Sequence, residues 1–177
     1  MSTLLLIFIL IYHPLKVLSQ VCPDGWNEAG GRCYRLTPSA PEDWGYAEDE
    51  CFTLRPDARL VSFIDETEAD IVVLGKCAGQ ATTTFWTGLN DLADEAGTIR
   101  NCCWTFSDGT DPTYIRYYGE KYWNNSQPNN RFNSEDCVAV VNGRLDDRAC
   151  TMQYPACCAN VPSPSPSPSQ TPTQTQT

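Results

Sequence analysis

Five stretches, taken in order, decide how this chain folds: WTGLND (86–91), WTFSDG (104–109), WNNSQPNN (123–130), EDCVAV (135–140) and LDDRAC (145–150). The apolar runs in the first and fourth, Phe85–Leu89 and Val138–Val141, are short, rich in aromatic and aliphatic side chains and bounded by turn formers, so they read as strands. Met152–Cys158 reads the same way. Between the first two, residues 90–133 are crowded with Gly, Asn, Asp and Pro and read as loop. A loop of that length is too long for an idle connection, and it delivers Asn, Asp and Glu side chains just ahead of Cys137.

Upstream, Glu42–Leu54 reads as an amphipathic helix, with Trp44, Ala47, Cys51 and Leu54 spaced three or four apart on one face. Arg59–Phe63 reads as a strand. A second helix is expected over Glu66–Leu74, capped by Asp65, with acids in its first turn and Gly75 at its end. No internal repeat is visible.

Both ends of the chain differ in composition from the middle. Residues 4–12 (LLLIFILIY) are apolar but too few to span a bilayer, and Val17 and Ser19 stand at the −3 and −1 positions of a cleavage site before Gln20. Residues 1–19 are therefore expected to be a signal peptide, with an uncleaved type II anchor as the alternative. At the other end, residues 161–177 (VPSPSPSPSQTPTQTQT) have one aliphatic residue and no charge, the composition of a disordered tail, either O-glycosylated or a bare spacer. That leaves residues 20–160 as one domain.

Ten cysteines, at 22, 33, 51, 77, 102, 103, 137, 150, 157 and 158, form an even and dense set in a chain expected to be exported and oxidised. No CxxC pair occurs, which argues against zinc. The formal charge is −10, which repels nucleic acid and anionic membrane surfaces and favours hard divalent cations. His13 is the only histidine and lies in the export segment, so Ser-His and Cys-His chemistry is excluded. Only carboxylate chemistry such as glycoside hydrolysis would remain, and acids that serve as metal ligands are ionised, not free proton donors. The chain is read as non-enzymatic.

With all five stretches in order, the sequence resembles the C-type lectin-like domains over nearly all of residues 22–160. The resemblance implies an α+β fold with two helices, small antiparallel sheets and a long ligand-binding loop. It also implies disulfides joining Cys51 with Cys158, Cys137 with Cys150, and Cys22 with Cys33 in the N-terminal hairpin of the family's long form. Cys77, Cys102, Cys103 and Cys157 lie outside that framework, and sequence leaves their pairing open.

The same resemblance implies a calcium ion held by Gln127, Asn129, Glu135, Asp146 and Asp147, with Pro128 following a cis peptide bond. A sugar would bind through that ion and the same five side chains. Where the family's mannose-type pattern has Glu, this chain has Gln127, and where it has Asn, this chain has Asp146; the two departures together conserve charge. Paired as Gln127 with Asp146 and Asn129 with Glu135, each sugar hydroxyl keeps one donor and one acceptor. The expected ligands are sugars of the mannose, glucose, N-acetylglucosamine and fucose group on cell-surface glycans or glycoproteins, bound by a secreted protein that gains avidity as a homo-oligomer. Leu145 stands where the family has tryptophan. An auxiliary calcium would use Asp91, Glu95, Asn130 and Asp136 beside Glu135. Asn124-Asn125-Ser126 is an N-glycosylation sequon. Tyr114, Tyr117, Tyr118 and Tyr122 are expected to serve mostly as loop core. The competing reading is a non-catalytic module of the same fold that binds protein and not sugar.

Overall fold

The computed structural model describes residues 22–38, 41–80, 82–93 and 103–160. The expected signal peptide, the C-terminal tail, Glu95 and Cys102 lie outside the described residues.

Two four-stranded antiparallel sheets organise the chain. The first brings the two ends of the domain together. Its hairpin of β1 (Asn27–Ala29) and β2 (Arg32–Leu36) pairs with the last strand β8 (Cys157–Asn160), which pairs in turn with β3 (Ala58–Leu60). The second sheet runs β5 (Thr105–Phe106), β4 (Thr84–Asn90), β6 (Cys137–Val141) and β7 (Arg144–Arg148), and it carries the ligand-loop side of the molecule.

Helix α1 spans Trp44–Leu54, and Asp43 caps it, its carboxylate accepting from the Tyr46 amide at 3.1 Å. Trp44, Ala47 and Cys51 are the buried face, and the chain leaves the helix at Arg55, ahead of Pro56. The second expected helix forms in three parts: α2 (Glu66–Ala69), a π-helical turn (Asp70–Leu74) and a short turn α3 (Lys76–Gly79). Asp65 caps α2 through the Glu68 amide at 2.9 Å. Gly75 follows the π turn at a position that only glycine fits, since a Cβ there would lie 2.5 Å from the Ile71 carbonyl oxygen.

Three expectations from the sequence need correction. The strand expected over Arg59–Phe63 is Ala58–Leu60, because at Val61 the chain divides its bonds between the sheets, its amide donating to the Cys157 carbonyl at 2.8 Å and its carbonyl accepting from the Gly88 amide at 2.9 Å. Met152–Cys158 is not one strand: only Cys157–Asn160 is, while Tyr154 and Ala156 make isolated bridges to Glu42 and Trp86. Pro155 has no N–H for a ladder, and the segment crosses from one sheet to the other, with the Pro155 carbonyl accepting from the Trp86 amide at 2.9 Å. Residues 90–133 are not all loop either. β5 lies in the WTFSDG stretch, where the family resemblance implies a strand, and the segment also holds a fourth helix α4 (Thr113–Tyr118) and two 3₁₀ turns, Gly119–Tyr122 and Arg131–Asn133. Ile115 and Tyr122, both buried, give this segment its own hold on the core.

Two hydrophobic clusters lie on either side of the first sheet's last strand. Successive β8 residues point to opposite faces, so Cys157 enters the cluster built on Tyr34, Phe63 and Phe85, and Cys158 enters the one built on Trp44, Leu60 and Trp86. Each finds a partner there. Cys157 bonds Cys77, and Cys158 bonds Cys51. Cys22–Cys33 and Cys137–Cys150 complete the bridges between described residues, and Cys103 is also in a disulfide. The WTGLND glycine, Gly88, sits where β4 passes β3, since a Cβ would come within 2.9 Å of the Leu60 carbonyl oxygen.

Candidate functional site

Strand β7 carries the centre of the site. RLDDR looks too polar for an inner segment, yet all five residues pair with β6, from Cys137↔Arg148 to Val141↔Arg144. The segment at Trp123–Asn124 covers its other edge, through a Trp123↔Leu145 bridge and an Asn124 amide donating to the Leu145 carbonyl at 2.8 Å. This double cover buries Asp146 to 2 % exposure and Asp147 to 0 %. The ligand loop then folds over them through a cis bond between Gln127 and Pro128.

Four of the five principal site residues meet in one hydrogen-bonded cluster. Gln127 donates through Nε2 to Asp146 Oδ1 at 2.6 Å, and Asn129 donates through Nδ2 to Gln127 Oε1. Asp147 holds the loop backbone: its Oδ1 and Oδ2 accept from the Asn129 amide at 3.1 and 2.8 Å, and Oδ2 also accepts from the Asn130 amide at 2.5 Å. Burial pushes the Asp147 carboxyl above its usual range, against these amides, which pull it down, and the Asp146 charge adds to the rise.

Glu135 is not gathered with the two aspartates. It accepts from the Arg131 amide at 2.9 Å, while its own amide donates to Asn130 Oδ1 at 3.2 Å. Among the described residues no group of three or more His, Cys, Asp or Glu side chains is arranged to hold a metal ion. Of the auxiliary set, Asp91 and Asp136 are brought side by side by the Asp91 amide donating to the Asp136 carbonyl at 3.0 Å, and Asn130 joins Glu135; Glu95 lies outside the described residues.

A profile of the lectin C-type domain matches residues 40–160. The chain belongs to the C-type lectin domain family. It is 30 % identical over 138 residues to human C-type lectin domain family 17, member A, covering 73 % of this chain but 29 % of that protein, so the chain spans about three tenths of that relative's length. It is also 30 % identical over 143 residues to C-type lectin 1 of Hydrophis hardwickii, covering 77 % of this chain and 78 % of the relative. Among solved structures, the trimeric Kupffer cell C-type lectin receptor Clec4f superposes with a TM-score of 0.61 at 27 % identity, covering 79 % of this chain and 85 % of that one. The C-type lectin domain family is non-enzymatic in its homologues. Among the described residues no helix is long and apolar enough to cross a membrane.

Two residues that sequence reading did not assign to the candidate site join its hydrogen bonds. Arg148 donates through Nη2 to Asp146 Oδ2 at 3.0 Å, a contact that was legible in LDDR, because residues two apart on a strand share a face. Asn124, the sequon asparagine, donates through Nδ2 to the same oxygen at 3.4 Å. Tyr114 and Tyr122 pack with the core as expected, whereas Tyr117 and Tyr118 are exposed.

Proposed function

We propose that this domain is a secreted, calcium-dependent sugar-binding protein for the mannose, glucose, N-acetylglucosamine and fucose group. The observation that carries the reading is the convergence of Gln127, Asn129, Asp146 and Asp147 around the Gln127–Pro128 bond. Their chemistry suits a hard cation, which takes six to eight oxygen ligands. Of two adjacent buried carboxylates, Asp146 pairs with the Arg148 guanidinium and Asp147 is held by uncharged backbone amides, so the cluster keeps a net negative charge that a divalent ion would neutralise. Gln127, Asn129, Asp146 and Asp147 would hold the ion, with Glu135 completing the set from the loop. When bound, calcium supplies direct coordination of two sugar hydroxyls. The chain's own contribution is orientation: amide nitrogens that donate to a hydroxyl and carboxylates that accept from it. Affinity per site would be low, and clustering of copies would supply avidity for glycans on cells or glycoproteins.

A glycan array probed with and without chelator tests the reading. Chelator-sensitive binding to mannose-type glycans is expected, and no binding to any glycan in millimolar calcium would sink it. Two observations favour a second reading, a protein-binding module without sugar recognition: Arg148 already satisfies part of Asp146, and Glu135 accepts from the Arg131 amide. On that reading, Asp147→Asn leaves partner binding unchanged.

A further inference from the structure

Beside the ligand loop, a cavity of about 260 Å³ separates Gln127 and Pro128 from the α4 segment, where Arg116, Tyr117 and Glu120 line it. The indoles of Trp104 and Trp123 also line it, with ring centroids 5.4 Å apart. The segment that walls it is tied down. Arg116 donates through Nε and Nη2 to the Trp104 carbonyl at 3.0 and 2.5 Å, and the Tyr122 hydroxyl donates to Asp70 Oδ1 at 2.5 Å. A cavity held in shape in this way charges a ligand little for ordering it.

The lining selects among ligand chemistries. An anionic ligand would meet Glu120, a cationic one would meet Arg116, and a wholly apolar one would strand both. A neutral pyranose satisfies every wall at once, with its C–H face against an indole and its hydroxyls accepting from Arg116 and donating to Glu120. The volume lies below the roughly 300–1,000 Å³ of drug-sized sites and leaves room for a single ring. Because Gln127 belongs both to this cavity and to the ligand cluster, a ring here would be the immediate neighbour of a sugar bound at the loop.

We infer that the cavity is a second sugar subsite, so that the ligand is a neutral oligosaccharide with one ring on the ligand loop and the next between Arg116, Glu120 and the two tryptophans. The inference rests on the sugar-binding reading above. Titration calorimetry in millimolar calcium tests it, comparing methyl glycosides of mannose, glucose, N-acetylglucosamine and fucose with their disaccharides. At least one disaccharide is expected to bind about tenfold more tightly than its methyl glycoside, as one or two net hydrogen bonds with ring contact would give, and to shift tryptophan emission. Glu120→Ala and Tyr117→Ala, both at exposed positions, are expected to abolish that gain while the methyl glycoside Kd stays the same. Disaccharides that bind no tighter than methyl glycosides, or a gain that survives both substitutions, would overturn the subsite alone. If neither size of glycan binds, the sugar-binding reading fails and the subsite with it.

Discussion

Asp147 has a structural role that substitution can separate from its proposed role as a calcium ligand. Beyond any ligand role, its carboxylate accepts from the Asn129 and Asn130 amides at a position with no solvent exposure. Asp147→Ala leaves two backbone donors without that acceptor, at about 1–3 kcal/mol for each donor that water cannot reach. Both asparagines are only half-buried, so partial rescue by water sets the expected loss at about 2–4 kcal/mol. Asp147→Asn keeps one oxygen, and since Oδ2 alone accepts from both amides, it is expected to lose only about 0.5–1.5 kcal/mol. Urea unfolding in excess chelator measures both variants without any contribution from bound metal, and amide exchange at Asn129 and Asn130 reports the loop directly. An alanine variant as stable as wild type in chelator, with both amides still protected, would refute the claim that this carboxylate holds the loop. The asparagine variant is then the one suited to functional tests, because a loss of glycan binding in it is not a loss of fold.

Three further outcomes are expected. Burial raises the Glu48 carboxyl above its usual range, although the Leu60 amide donates to it at 2.8 Å, with the Ser107 hydroxyl and Arg59 also pulling it down. A raised folded-state value means that Glu48 contributes fully below its unfolded pKa and loses that contribution as pH rises through the folded one. Glu48→Gln should therefore raise the urea midpoint at pH 7 and leave it unchanged near pH 3, and a pH-independent difference would contradict this. Replacing Cys77 and Cys157 together by alanine opens a bridge that, with Cys51–Cys158 intact, closes an effective loop of roughly 25–30 residues; the chain-entropy cost is about 3.5 kcal/mol, read as a fall in denaturation midpoint. Arg148→Gln removes a positive charge from Asp146 and is expected to tighten calcium binding by about 1 kcal/mol, or roughly fivefold, in a calorimetric titration; weaker binding would mean that Arg148 supports the site and does not compete for it.

Much of the fold was legible because its signals are local. The face of α1 follows from residues three and four apart, and its start from Asp43. The α4 helix was hidden because the Gly, Pro and Asn around it are local loop signals, while what holds the helix is the burial of Ile115 and Tyr122 against distant residues. At the site, the residue types were readable, but their arrangement was not. Whether Glu135 joins Asp146 and Asp147 depends on the path of the loop, and here the Arg131 amide takes its carboxylate.

The sequence by itself determined the family, through five stretches in order, and the identities of the oxygen-bearing side chains available to a ligand. Only the tertiary structure decided which neighbour each of them keeps. Cys157 and Cys158 show why: adjacent in sequence and chemically identical, they are separated only by the alternation of side chains across β8, which sends one to Cys77 and the other to Cys51. The same alternation on β7 puts Arg148 beside Asp146 and leaves Asp147 to the loop amides. A strand's two faces are fixed by what packs against them, and that packing is assembled from residues far apart in the chain.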